Sequence, residues 1–316
     1  MAVQTSTKEN SAHIYYEKKL LSTLEPRLVL QPLGKKQRLP KGNGKQVDWL
    51  RYAAIAESTV DIGLTPGEGV PPTEIAFSTS RISATIKQYG QYAKVSDLLS
   101  DTAIDPVLDN LSERFGVAAA KTIEQLIANE LNSTASVQRV NNAAGDANLA
   151  QGDVLNHKEL IEAMIRQKAD YIGPHESGDY VCVLHPRSEY DLLVDVNQGS
   201  FLDIQKYTDN RPLMNGEIGR MYGMRFLVSD KMLTQPGANA ASKDVVTSYV
   251  IGEEAFGVVE LNGDSMKMIV KRHGSAGALD PLDQFATVGY KIHGFAAKYL
   301  DSGSKRVIAI NASTGI

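Results

Sequence analysis

The sequence has little of what secreted, membrane-spanning or nucleic-acid-gripping proteins carry. It holds one cysteine, Cys182, in 316 residues, so no disulfide can form within the chain, as expected of a protein in a reducing cytosol. No apolar run approaches the ~20 residues of a membrane span. The most apolar early stretch, LLSTLEPRLVL, is interrupted by Glu25, Pro26 and Arg27. The first residues, MAVQTSTKENSAHIYYEKK, lack the basic-then-apolar order of a signal peptide. An excess of positive charge is missing too. The net charge is -4, which argues against the broad basic footprint of a tight nucleic-acid binder. These gaps predict a soluble protein made in, and staying in, a cytoplasm, with no membrane partner.

Catalytic templates are equally scarce. Gly44-Lys45 mimics part of a phosphate-binding loop, but the pattern needs glycine where Leu39 stands and Ser or Thr where Gln46 stands. The stretch GEGVPP lacks the third glycine of a dinucleotide fingerprint. The six histidines (His13, His157, His175, His185, His273 and His293) form no His-Glu-x-x-His pair, and no second cysteine joins Cys182. Ser275 in HGSAG misses the nucleophile elbow because His273 replaces its first glycine. Cys182 in YVCVL reads as a buried, inert thiol. His185, just before Pro186, reads as a turn residue. The expectation is no catalytic residue, no metal and no cofactor.

What the chain does contain is length and extension. Residues 1–45 hold apolar positions but too few for a core, and read as an arm. Val47 and Trp49 alternate against Asp48 and Leu50, and Ile82, Ala84 and Ile86 share a face in the partner strand, where Gly90 suggests a bulge. Between these strands, residues 57–80 contain three prolines and three glycines, so the pair reads as a long hairpin with an extended tip. Ordering 24 such residues costs on the order of 24–48 kcal/mol, which contacts with neighbouring subunits would have to offset.

Residues 105–132 carry Leu108, Leu111, Phe115, Ala119, Ile123, Leu126, Ile127 and Leu131 near one stripe. Asp105 and Pro106 open the run, and Gly116 is its weak point. A second helix is predicted over 156–169, with Asn156 as N-cap and Glu159 closing a capping box. Strands are predicted at DYVCVL, GMRFLVSD, SYVIGEEAFGVVEL and KMIVKRH.

Over 285–299, Ala286, Val288, Tyr290, Ile292 and Gly294 fall on one face, with Thr287, Gly289, Lys291 and His293 on the other. This strand would run roughly 50 Å, against about five or six residues for an ordinary strand. A long helix on long strands, with a projecting hairpin and an arm, makes a flat tile rather than a pocketed globule.

Several segments, in this order, carry a family resemblance: LEPRLVL, KQYGQYAKVSDLL, AIDPVL, NGEIGRMYGMRFLVSD, VIGEEAFGVVEL and GSAGALDPLDQFATVGYKIHGFAAKYL. With them the chain resembles the major capsid proteins of tailed bacteriophages, of the Hong Kong 97 type fold, in the N4-like coat protein branch. The resemblance implies an α+β fold in five parts. These are an N-terminal arm at 1–45, an extended loop hairpin at 46–95, and a peripheral domain at 96–175 with a long spine helix. An axial domain at 176–264 and the rest of the peripheral domain, with long β-strands, at 265–316 complete it.

The resemblance further implies self-assembly, as hexamers and pentamers, into an icosahedral head shell around double-stranded DNA contacted non-specifically. Separate scaffolding, portal and decoration proteins are implied as partners. Candidate inter-subunit contacts are Trp49 together with Arg51, Lys87 and Lys94 facing Glu57, Asp61 and Glu74 of another copy. The alternative is that these are ordinary solvated charges. Two other functions compete. One is an encapsulin-like nanocompartment shell. The other is a cytosolic enzyme with a lid at 57–80.

Overall fold

The computed structural model describes residues 28–52, 78–102, 107–133, 136–175, 178–195, 217–261, 266–274, 281–300 and 306–314. Its first half contains strands β1 (Lys35–Leu39), β2 (Gln46–Tyr52), β3 (Thr79–Thr85) and β4 (Lys87–Ser96). Helices α1 (Asp97–Thr102) and α2 (Val107–Leu131) and strand β5 (Val137–Arg139) follow. Then come α3 (His157–Ala169), β6 (Tyr180–Leu184), α4 (Pro186–Val194), β7 (Glu217–Met221), β8 (Met224–Val228) and β9 (Thr234–Gln235). The last strands are β10 (Val245–Ile251), β11 (Phe256–Leu261), β12 (Met266–Lys271), β13 (Phe285–Tyr299) and β14 (Val307–Ser313).

One strand organises the first sheet. β13 has the fifteen residues that its alternation predicts. Along one edge it pairs with β12 through Thr287–Ile292 and then with β11 through Phe295–Tyr299. Along the other edge it pairs with β4 from Phe285 to Phe295. β1 adds to β11 in parallel, making five strands.

Ala286, Val288, Tyr290 and Ile292 are buried on one face, as expected. The alternation then breaks at Gly294, not at Gly90. The β4–β13 register shifts between His293 and Phe295, and Gly294 sits at φ 80°, a left-handed geometry that suits glycine. The extra residue turns Phe295 inward and ends the simple two-residue period. Gly90 stays in register opposite Lys291. It is needed for another reason, since a Cβ there would lie 2.6 Å from the Tyr290 carbonyl.

Helix α2 covers the inner face. Ser112, Ala119, Ala120, Ile123, Ile127, Ala128 and Leu131 are buried at three- and four-residue spacing. Most are small, which lets the helix lie close to the sheet. Gly116 is buried within an unbroken helix. Leu111 and Phe115 are partly buried against the same core, and the Phe115 and Tyr290 ring centroids are 5.9 Å apart. The predicted helix start at Asp105 and Pro106 lies outside the described residues.

The second sheet has seven strands in the order β5-β14-β10-β6-β8-β7, with β9 on β10. Every residue of β6, β10 and β14 is buried, as in strands covered on both faces. Asn156 caps α3 by accepting from the Glu159 amide at 3.2 Å. Only that half of the expected capping box forms, because the Glu159 carboxylate accepts from Gln138 Nε2 at 2.9 Å and from the Asn141 amide at 3.2 Å.

Strand pairing divides the chain differently from the sequence expectation in two places. β11, placed with 176–264, belongs to the five-stranded sheet, and β14, placed with 265–316, sits between β5 and β10 in the seven-stranded one. β14 is apolar enough to need cover on both faces, which the interior of that sheet provides.

The described part of the arm docks on the body. Leu28, Leu30 and Leu33 are buried in the core shared with α2, and β1 follows on β11.

The α2 packing predicts an order of costs. Ile127, fully buried, should lose about 2–5 kcal/mol on Ile127→Ala. Leu111→Ala, at a partly buried site, should cost less, about 1–2 kcal/mol. Denaturant unfolding of both variants checks the ranking, and equal, negligible losses would show that the helix does not carry the core.

Candidate inter-subunit surface

The base of the hairpin is built on the five-stranded sheet. β2 and β3 pair antiparallel from Gln46↔Thr85 to Tyr52↔Thr79. Val47, Trp49 and Ala84 turn toward β11 and pack with Leu39, Val259, Ile86 and Leu261. Trp49 lies flat on Gly257, where a Cβ would come within 2.6 Å of its ring. Trp49 therefore uses most of its surface within its own subunit. On the opposite face of the ribbon, Asp48 accepts from Arg81, from Ser83 Oγ at 2.6 Å and from Gln46 Nε2 at 2.9 Å. The Arg81 hydrogen bond, first of these, holds the Asp48 carboxyl well below the usual carboxylate range.

The other candidates separate. Arg51 is half-buried on the Trp49 face of β2, where burial and then the charge of Arg306 lower its pKa. Lys87 and Lys94 are both exposed on β4 but project to opposite faces, Lys87 opposite Phe295 and Lys94 opposite Thr287. Lys87 lines a cleft of about 580 Å³ between β3, β13 and α2, near the Lys298–Glu130 ion pair at 3.2 Å. Glu57, Asp61 and Glu74 lie outside the described residues.

The open face of the five-stranded sheet, away from α2, has an order that the sequence alone does not reveal. Register aligns Lys94, Thr287 and Lys271 in one row across β4, β13 and β12. The next row is Tyr92, Gly289 and Ile269, and the third is Gly90, Lys291 and Lys267. Two basic rows thus flank an apolar one. Tyr92 is 70% exposed and Ile269 41%, values that leave the apolar row bare. Lys94 Nζ lies 5.7 Å from the Phe285 ring centroid. Gly90 and Gly289 supply no side chains, and a cleft of about 470 Å³ opens over them.

The residues singled out for chemistry have structural positions. Cys182 is fully buried in β6, and burial pushes its thiol up. His185 caps α4, accepting from the Arg187 amide at 3.1 Å through Nδ1. Burial, then the charge of Arg187, lowers its pKa. His293 meets Gln88 at 2.6 Å on the open face. Among the described residues, no cluster of three or more His, Cys, Asp or Glu could hold a metal, and no helix is long and apolar enough to cross a membrane.

A tile-like sheet backed by one long helix, with a bare patterned face, is the geometry of a shell subunit. The sequence profile described as phage capsid protein matches residues 79–302. The chain belongs to the phage capsid protein family. No curated protein sequence matches it.

Solved structures share the fold at low identity. The capsid of Ralstonia phage GP4 is 14% identical, with a TM-score of 0.68, covering 89% of this chain and 87% of that one. The capsid of cyanophage Pam1 is 12% identical, with a TM-score of 0.63 and coverages of 90% and 92%. A virus-like particle from Pyrococcus furiosus is 12% identical, with a TM-score of 0.52 and coverages of 95% and 99%. The fold is α+β, of the Hong Kong 97 type. A virus-like particle shares the fold, and the family match favours a phage capsid over the encapsulin-like alternative. The capsid protein is a structural, self-assembling component of the virion and forms the head shell as its major capsid protein.

Trp49 is the sole tryptophan, so its emission reports the hairpin base. Gly257→Ala should displace the ring and red-shift the emission, with little change in far-ultraviolet circular dichroism. An unshifted spectrum would place the indole elsewhere.

Proposed function

We propose that the capsid protein assembles as hexamers and pentamers into the icosahedral head of a tailed double-stranded DNA bacteriophage, through a hairpin of one copy lying on the open sheet face of the next. The supporting observation is charge complementarity within one sequence. Residues 53–77 carry Glu57, Asp61, Glu68 and Glu74 and no lysine or arginine. The open face presents Lys94, Lys267, Lys271 and Lys291 around the apolar row. Apolar residues in the same segment, including Ile62, Leu64 and Val70, suit Tyr92 and Ile269. In this reading Lys94 is an inter-subunit cation for Glu57, Asp61 or Glu74, while Lys87 serves a different contact beside α2. Trp49 and Arg51 hold the hairpin base on its own subunit.

The five-stranded sheet with α2 takes the role of the peripheral domain, and the seven-stranded sheet that of the axial domain near symmetry axes. Assembly takes place in the bacterial host cytoplasm with separate scaffolding and portal proteins, and decoration proteins are further partners. Contact with the packaged DNA is non-specific, and the net charge of -4 suits a wall that does not trap the genome. The reading assigns no catalytic role to Cys182, His185 or His273.

Two variants test this reading. Replacing residues 53–78 with an Asn-Gly turn should leave a soluble subunit with near-native circular dichroism, since shortening a hairpin loop changes closure entropy little. Sedimentation and microscopy, with coexpressed scaffold, should find no closed particles. Lys94→Glu with Lys271→Glu should reduce closed-particle yield at least several-fold without lowering the melting temperature. Normal capsids from the shortened protein would overturn the proposal, and normal yield from the double variant would move the landing site away from this face.

A further inference from the structure

The open face of the five-stranded sheet has a spacing as well as a composition. Rows two residues apart along a strand are separated by about 6.6 Å. The row of Lys94 and Lys271 and the row of Lys291 and Lys267 therefore stand about 13 Å apart, with Tyr92, Gly289 and Ile269 midway. A Cβ on Gly289 would lie 2.7 Å from the Tyr92 Cβ, so the floor beside the ring has to stay bare. The cleft over this floor is lined by Tyr92, Ile269, Lys271 and Lys291, among others. No acid stands in the three rows. A ligand that fits them is apolar in the middle and acidic at both ends.

One segment of the sequence has that order. Pro71-Pro72 is the only Pro-Pro pair in the chain, and Glu68 and Glu74 flank it in EGVPPTE. A proline disfavours helical angles in the residue before it, so this sequence favours the polyproline II conformation, with three residues per turn. In that conformation Glu68, Pro71 and Glu74 share one side, and the two glutamates stand about 19 Å apart along the backbone. The difference from the row separation is about 6 Å, which two lysine side chains leaning outward can span. Glu57 and Asp61 are the other acids of residues 53–77. Extended alternation puts Thr59, not an apolar residue, between them.

We propose that residues 68–74 of one copy are the ligand of this face on another, bound as a polyproline II strip with Pro71 on Tyr92 and Ile269 and with Glu68 and Glu74 on the two lysine rows. The proposal rests on the hairpin-to-face assembly put forward above and narrows it to one motif. A proline pair offers a flat apolar surface to an aromatic ring and is already ordered by its own covalent geometry, so docking costs little conformational entropy. Tyr92 acts through its ring, and its hydroxyl is not required. The two lysine rows reject a basic strip and fix the register of an acidic one.

Zero-length carbodiimide cross-linking of wild-type particles, read by mass spectrometry, tests the contact without any substitution. Glu68 and Glu74 should be joined to Lys94, Lys267, Lys271 or Lys291. Links to these lysines from Glu57 or Asp61 alone, or no links to them, overturn the proposal. Assembly of full-length variants with coexpressed scaffold tests the chemistry. Pro71→Ala with Pro72→Ala should lower the yield of closed particles roughly tenfold, as should Tyr92→Ala, while Tyr92→Phe should assemble normally. Lys271→Glu with Lys291→Glu should abolish particles, and adding Glu68→Lys with Glu74→Lys should restore them. Rescue by Glu57→Lys with Asp61→Lys instead, or normal yield from the proline variant, overturns the proposal and leaves the hairpin-to-face reading standing. That reading falls separately, if the protein with the shortened hairpin forms normal capsids.

Discussion

A fifteen-residue strand must satisfy its backbone on both edges over roughly 50 Å, and the rest of the five-stranded sheet follows from how β13 does so. No single neighbour pairs with it from end to end. β12 and β11 share one edge in succession, and β4 takes most of the other. The handover from β12 to β11 coincides with the bulge at Gly294, where the face presented to α2 is reset by one residue. Without that reset, Phe295 would point into the open face and the core beneath α2 would lose its ring. The bulge makes a strand of this length compatible with two different partners and one continuous core.

The two faces of this sheet have opposite duties. The inner face is filled by α2, whose small residues allow close approach and whose Glu124 reaches past the sheet to the arm. The outer face is kept bare by two glycines and ordered by register into basic, apolar and basic rows. A monomer gains nothing from exposing Tyr92 and Ile269 beside lysines. In the proposed assembly, a subunit awaiting an acidic, partly apolar segment from another copy does. The hairpin base itself is fixed on its own subunit by Trp49 on Gly257.

Much of this was legible in the residue order because it depends on local periodicity. The limits of β13 follow from alternation after Pro281, α2 from its apolar stripe, and the start of α3 from Asn156. What stayed hidden depends on partners distant in sequence. Glu159 looks like half of a capping box until Gln138 and Asn141 compete for its carboxylate. Gly90 and Gly294 look alike as bulge candidates, and only the β4–β13 register tells them apart. β11 and β14 exchange sheets because strand order, which periodicity does not encode, decides which apolar run is covered twice. The lysine rows need three strands in register before they exist. Glu124, one acid among many on a helix, becomes distinctive only when the amides of residues 29–31 close over it.

The parallel pairing of β1 with β11 also sets a timetable. Lys35 is matched with Gly257, about 220 residues further along the chain. At roughly 5–20 residues per second, a ribosome needs on the order of ten to forty seconds to supply that partner after β1 has been made. β1, made well before β11, is thus among the last strands to find its partner. The arm residues just before it, which pack on α2, can settle much sooner.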